Sequence, residues 1–146
     1  MRRLQVYVAT ASNPIEEAER HMQSVRALGH EITFDWTVPV RQAGTGSPDD
    51  PAVRSSAALT DLRGVERSEV FWLIQPENTS TGAWVELGHA LAFKKVRAML
   101  GVRRPIVVVS GPSRRCIFAD QAEGLADYRF ESHAEALSFI DSLSRE

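Results

Sequence analysis

The chain has 146 residues, 43% of them hydrophobic, which is the usual size of one domain with one sizeable core. Its net charge of -2 supplies no attraction to a nucleic acid polymer or an anionic membrane, so a small soluble molecule is the expected partner. The single cysteine, Cys116, excludes an internal disulfide and fits a reducing cytoplasm, and His21, His30, His89 and His133 have no zinc-site spacing, so a metal is not expected.

The amino-terminal MRRLQVYVATA reads as a first strand (4–10) rather than a signal peptide, and no apolar run approaches the roughly 20 residues that span a bilayer. SNP at 12–14 offers a cap and a proline to a helix over 15–29, with acids in its first turns, arginines towards its end and Gly29 as its stop. EITFDW (31–36) is expected as a second strand, completing a βαβ unit and hence a parallel sheet. The Gly-, Pro-, Ser- and Asp-rich 41–53 reads as a long functional loop or lid, within which 44–51 is expected to influence substrate choice.

A helix over 52–65 then leads to a third strand, EVFWLIQ (69–75), and the turn ENTSTG leads to a helix from Ala83 to at least Phe93. RPIVVVSG (104–111) is apolar enough for a central strand, and DYRFES (127–132) is a weak fifth strand before a final helix, HAEALSFIDSL. The alternation predicts a doubly wound α/β sheet of about five parallel strands, flavodoxin-like, with helices on both faces and a single domain spanning 1–146.

One residue conflicts with this pattern. The helix after ENTSTG is apolar on nearly every face, as in a buried helix, yet it carries Glu86. An unpartnered buried carboxylate costs several kcal/mol, so Glu86 is either paired or useful. In open parallel sheets ligands bind beyond the carboxyl ends of the strands, which selects Tyr7–Pro14, Trp36–Arg41, Gln75–Gly82 and Ser110–Ser113. Glu86 lies about one turn beyond the third segment, where the helix N-terminus is expected to favour its ionised form.

ENTSTG itself can either cap the helix through Thr79, Ser80 and Thr81 or hold a phosphate with its hydroxyls and backbone N–H groups. Trp36 and Trp84 read first as packing residues, although Trp36 lies at a strand's carboxyl end, where a ligand would bind. His89 reads as structural or as a subunit contact, and Arg41, Arg54 and Arg114 are candidate phosphate partners.

VYVATA, DLRGVERSEVFWLIQP and STGAWVELGHALAFKK, in that order, resemble the nucleoside 2-deoxyribosyltransferase superfamily, and among its branches the 2'-deoxynucleoside 5'-phosphate N-hydrolases. The resemblance covers roughly residues 4 to 110 and rests on Tyr7, on Asp61 eight residues ahead of Glu69, and on Gly82 to Ala90 as a Gly-x-x-Glu-Leu-Gly-x-Ala helix. It implies an N-glycosidase in which Glu86 attacks the anomeric carbon, Asp61 protonates the departing base and Tyr7 orients Glu86.

Substrate contacts then fall to Ser80, Thr79, Ser12, Trp36 and Gly82, with no cofactor and with a homodimer or larger homo-oligomer sharing its sites. Four departures bear on the substrate. Thr10 and Ala11 stand where the hydrolases carry glycine and serine, with Ser12 one position later. Glu69 replaces the usual aspartate, the loop before Glu86 is one residue longer, and DQAEGLADY offers no counterpart to a serine borrowed from the neighbouring subunit. The alternatives are a base-exchanging deoxyribosyltransferase on free nucleosides, a catalytically silent nucleotide-binding module, and hydrolysis of the nicotinamide riboside bond.

Overall fold

Five strands form one parallel sheet in the order β2-β1-β3-β4-β5, in a computed structural model that describes residues 1–43, 50–78 and 80–146. The strands are β1 (Gln5–Ala9), β2 (Glu31–Ile32), β3 (Val70–Ile74), β4 (Ile106–Ser110) and β5 (Tyr128–Phe130). Five α-helices connect or follow them: α1 (Ile15–Ala27), α2 (Thr37–Ala43), α3 (Pro51–Arg67), α4 (Gly82–Met99) and α5 (His133–Leu143). A short 3-10 helix, Ile117–Ala119, lies between β4 and β5. The α/β architecture expected from the sequence is the one observed.

Strands β1, β3 and β4 are buried on both faces, as their unbroken apolar runs require, and supply Tyr7, Phe71, Trp72 and Val108 to the core. Helices α3 and α4 pack together on one face, while α1 and α5 cover the other, where His21 of α1 meets His133 of α5. Each parallel crossover places its helix against the sheet, so both faces are shielded from water. The amino-terminal ends of β1 and β3 are tied by Glu69, which accepts the Gln5 N–H (3.0 Å) and pairs with Arg2 (2.6 Å) and Arg103 (3.0 Å).

Several boundaries differ from the sequence reading. The second strand stops at Ile32 rather than Trp36, because the Asp35 carboxylate accepts the Thr37 N–H (3.1 Å) and the Thr37 hydroxyl, starting α2. Residues 41–43 belong to α2, and 51–53 to α3, whose N-cap Asp50 accepts the Ala52 N–H (2.9 Å) ahead of Pro51. The expected loop therefore shrinks at both ends, and 44–49 lie outside the described residues.

Ser12 and Asn13 do not cap α1. Pro14 is its N-cap residue and makes no side-chain hydrogen bond, while the Asn13 carbonyl is engaged elsewhere. Nor is α4 buried all round: Val85 is 62% exposed and Met99 77%.

Candidate active site

Tyr7 points from β1 towards the α3–α4 face, its ring stacked on Phe71 of the neighbouring β3 at 5.9 Å. Helix α3 reaches this ring because residue 64 is glycine. A β-carbon there would lie 2.9 Å from Tyr7 Cε2 and 2.8 Å from Phe34 Cβ. Across the ring stands α4, and the Tyr7 hydroxyl donates to Glu86 Oε2. Glu86 is thus paired, and the pair joins the middle of β1 to the second turn of α4.

Burial decides the electrostatics. Glu86 is 8% exposed, and its carboxyl is pushed up to about 8, chiefly by loss of hydration; the Tyr7 hydrogen bond opposes this and the nearby Asp61 charge adds to it. The helix N-terminus therefore does not hold Glu86 ionised, as position alone implies, because desolvation outweighs it. Asp61, half-buried on α3, is pushed up to about 6 by burial. The Tyr7 hydroxyl is raised by burial and then by the charge of Glu86, so it stays a hydrogen-bond donor.

Glu86 opens onto a cavity of about 560 Å³ at the carboxyl ends of β1 and β3, where the strand order reverses. Ser12, Trp36, Ser80 and Gly82 line it with Glu86, so four of the five expected substrate contacts meet in one place. Thr79 lies outside the described residues. Trp36 is both a packing and a lining residue: it is 7% exposed, and its indole N–H donates to the Val8 carbonyl (2.9 Å).

Thr81 is the N-cap residue of α4 but makes no capping side-chain bond, so the amide groups of the first turn keep no such partner. Asn13 and Asn78 also line the cavity, and the Asn78 amide donates to the Asn13 carbonyl (2.6 Å), linking the loops after β1 and β3. Reasoning from sequence missed both asparagines. Their only signal is that each falls within a segment already selected by the end-of-strand rule.

Other candidates are placed elsewhere. Arg41 is committed to Glu19 (2.5 Å) on α1, and Arg114 to Glu131 (2.7 Å), so neither is a free phosphate partner. Arg54 lies exposed on α3. His89 lies 3.5 Å from Glu66 and stacks on Phe93, a contact between α3 and α4. Glu69, part of the sequence pattern with Asp61, sits at the opposite end of the sheet and acts as a tether there.

The chain aligns with a 2-deoxyribosyltransferase from Bacillus psychrosaccharolyticus at a TM-score of 0.64 and 19% identity, over 94% of this chain and 90% of that one. It aligns with the CMP N-glycosidase of Clostridium botulinum at a TM-score of 0.55 and 13% identity, over 95% and 98%. The chain shares their fold. At these identities the likeness covers the backbone architecture, over nearly the whole of all three chains. No protein-family model and no curated protein sequence matches it.

Proposed function

We propose that the protein is an N-glycosidase that hydrolyses the base–sugar bond of a 2'-deoxynucleoside 5'-monophosphate, with Glu86 as nucleophile. The observation that supports this reading is the buried Tyr7–Glu86 pair, in which Glu86 lines the switch-point cavity while Tyr7 and the half-buried Asp61, whose charge acts on Glu86, stand behind it. A purely structural ion pair would set a cation beside Glu86. A tyrosine and a second acid are found instead, and two carboxyl groups with raised pKa values suit glycosidic chemistry.

In this mechanism a Glu86 oxygen attacks C1' as the C1'–N bond breaks, and the bond's electron pair leaves with the base, which takes a proton from Asp61. Asp61, now ionised, accepts a proton from water. The resulting hydroxide attacks C1', and the glycosyl ester breaks to return Glu86. Tyr7 holds Oε2, which leaves Oε1 for the attack. Ser80, Ser12 and Thr79, with the amide groups near Gly82, would bind the 5'-phosphate, and Trp36 would cover the base.

We also infer a cytoplasmic homo-oligomer. Val85 (62% exposed), Met99 (77%) and Leu100 (71%) on and after α4 support an apolar contact between copies. No helix among the described residues is long and apolar enough to cross a membrane.

The test is base release from the four deoxynucleoside 5'-monophosphates, their nucleosides and CMP, with Glu86→Ala in parallel. Release from monophosphates, reduced by about 1,000-fold or more in the variant, is expected. Undiminished release in Glu86→Ala, or none from any substrate, would overturn the reading. The 2-deoxyribosyltransferase is the more similar of the two solved structures, which favours base exchange as a second reading. Product that appears only with an added acceptor base would select it.

A further inference from the structure

A second cavity, of about 610 Å³, lies on the α1–α5 side of the same sheet edge. Thr10, Ala11, Asn13 and Asn78 are common to both cavities, so the Asn78–Asn13 hydrogen bond stands in the wall between them. Nothing in the proposed hydrolysis uses this second space. Its volume is that of a small-molecule site, far beyond one or two waters.

Gln75, just past β3, lines the second cavity and is 4% exposed. Its amide nitrogen donates to the Gly111 carbonyl (3.0 Å), which fixes the orientation, since two carbonyl oxygens would repel. Gln75 Oε1 is then a buried acceptor with no partner among the described residues. Buried acceptors of this kind are rare because they forfeit hydration without return.

His133 lines the same space, and a buried relay sets its tautomer. The Trp72 indole N–H donates to Ser110 Oγ (2.9 Å), and Ser110 Oγ lies 2.7 Å from His133 Nδ1. Ser110 is fully buried. The arrangement that leaves its hydroxyl hydrogen partnered has Ser110 donating to Nδ1, so the neutral ring carries its hydrogen on Nε2. Burial lowers the pKa of both His133 and His21, which keeps the rings neutral.

Glycine at 111 brings acceptor and donor together. It has φ +124, and a β-carbon there would lie 3.5 Å from both Gln75 Nε2 and His133 Cε1. The remaining walls include Ile74, Pro14, Pro76 and the edge-packed His21 ring. Glu17 and Glu77 outnumber the single cation Arg20 around the cavity, which disfavours a phosphate, and no described residues group as metal ligands. A flat, neutral ring with a donor beside an acceptor matches what remains.

We propose that this second cavity binds a free nucleobase edge-on, its N–H donated to Gln75 Oε1 and its ring nitrogen or carbonyl accepting from His133 Nε2. The choice of a nucleobase among flat heterocycles rests on the base-releasing reaction proposed for the adjoining cavity. The site is a resting place for released base or a source of acceptor base.

The test titrates the intact protein with adenine, hypoxanthine, cytosine and uracil by calorimetry, following the Gln75 side-chain amide and the His133 ring by NMR. Saturable binding is expected for at least one base, with both groups shifting. Affinity should fall about tenfold in Gln75→Met and again in His133→Phe, which keeps a ring, while Glu86→Ala leaves it unchanged. If Gln75→Met fails to fold, His133→Phe gives the same reading alone. No binding at millimolar base, or binding that shifts neither group and survives both substitutions, would overturn the proposal. Base release from nucleotides is scored separately: binding without release overturns the reaction and keeps this site, and release without binding at Gln75 does the reverse.

Discussion

Tyr7 and Glu86 are separated by 79 positions in sequence, yet the fold brings them into one buried hydrogen bond. With Asp61 raised to about 6 and Glu86 to about 8, the two acids share one proton between those values. The form that the proposed mechanism requires, Glu86 ionised and Asp61 protonated, carries that same single proton. Below about pH 6 no carboxylate remains to attack, and above about pH 8 no acid remains to protonate the base. The kcat/KM profile for base release is therefore expected to be bell-shaped with limbs near those values, and a flat profile from pH 5 to 9 would contradict the shared-proton account.

The same shift predicts a stability effect. The folded-state pKa of Glu86 lies above its ordinary 4.5, so its contribution is fully present below pH 4.5 and is lost as pH rises through about 8. Glu86→Gln accepts the same Tyr7 hydrogen bond without ionising. Denaturant melts should show it level with wild type near pH 4.5 and more stable by about 2 kcal/mol above pH 8. A gap independent of pH would contradict the buried-acid account.

The pairing of α3 with α4 brings Asp61 near Glu86, and Gly64 lets α3 close on the Tyr7 ring between them and the sheet. Gly64→Ala would press a β-carbon against the Tyr7 ring and the Phe34 β-carbon, neither of which is a flexible end. A loss of about 1–3 kcal/mol is expected, together with reduced base release as Tyr7 is displaced. Gly88→Ala on α4, where an added β-carbon meets nothing within 4 Å, should be neutral or slightly stabilising, and equal effects would contradict this role for Gly64.

At this scale the sequence was legible wherever one signal dominated. The apolar runs of β1, β3 and β4 were plain because burial on both faces leaves a clear pattern, whereas Ser132, read as the end of the fifth strand, is the N-cap of α5 and accepts the Glu135 N–H. Helix α2 was hidden: TVPVRQA is rich in β-branched residues and holds Pro39, and its start depends on the Asp35 side chain rather than on periodicity.

For the whole molecule, the order β2-β1-β3-β4-β5 sets the strand reversal at β1 and β3, and both cavities open at that edge. Topology assigns the segments of Tyr7, Ser12, Trp36 and Ser80 to that end of the sheet, with Glu86 a turn beyond, while the roles proposed for them rest on the family resemblance. The charge state of Glu86 could not be read from sequence, since it depends on how completely three elements exclude water. Likewise the link between Asn13 and Asn78, and the unpartnered oxygen of Gln75, exist only once the loops are folded against one another. Such features leave no pattern in the sequence, which is why the fold was easier to read than the cavities.

The central claim is that Glu86 forms a bond to the sugar. Rapid acid quench of the enzyme with a deoxynucleoside 5'-monophosphate, followed by peptide mass mapping, tests it directly. The account predicts a deoxyribose-phosphate adduct on the peptide containing Glu86, absent from Glu86→Ala and from enzyme without substrate. Base release at full rate with no adduct on that peptide, or an adduct on another carboxylate, would contradict it.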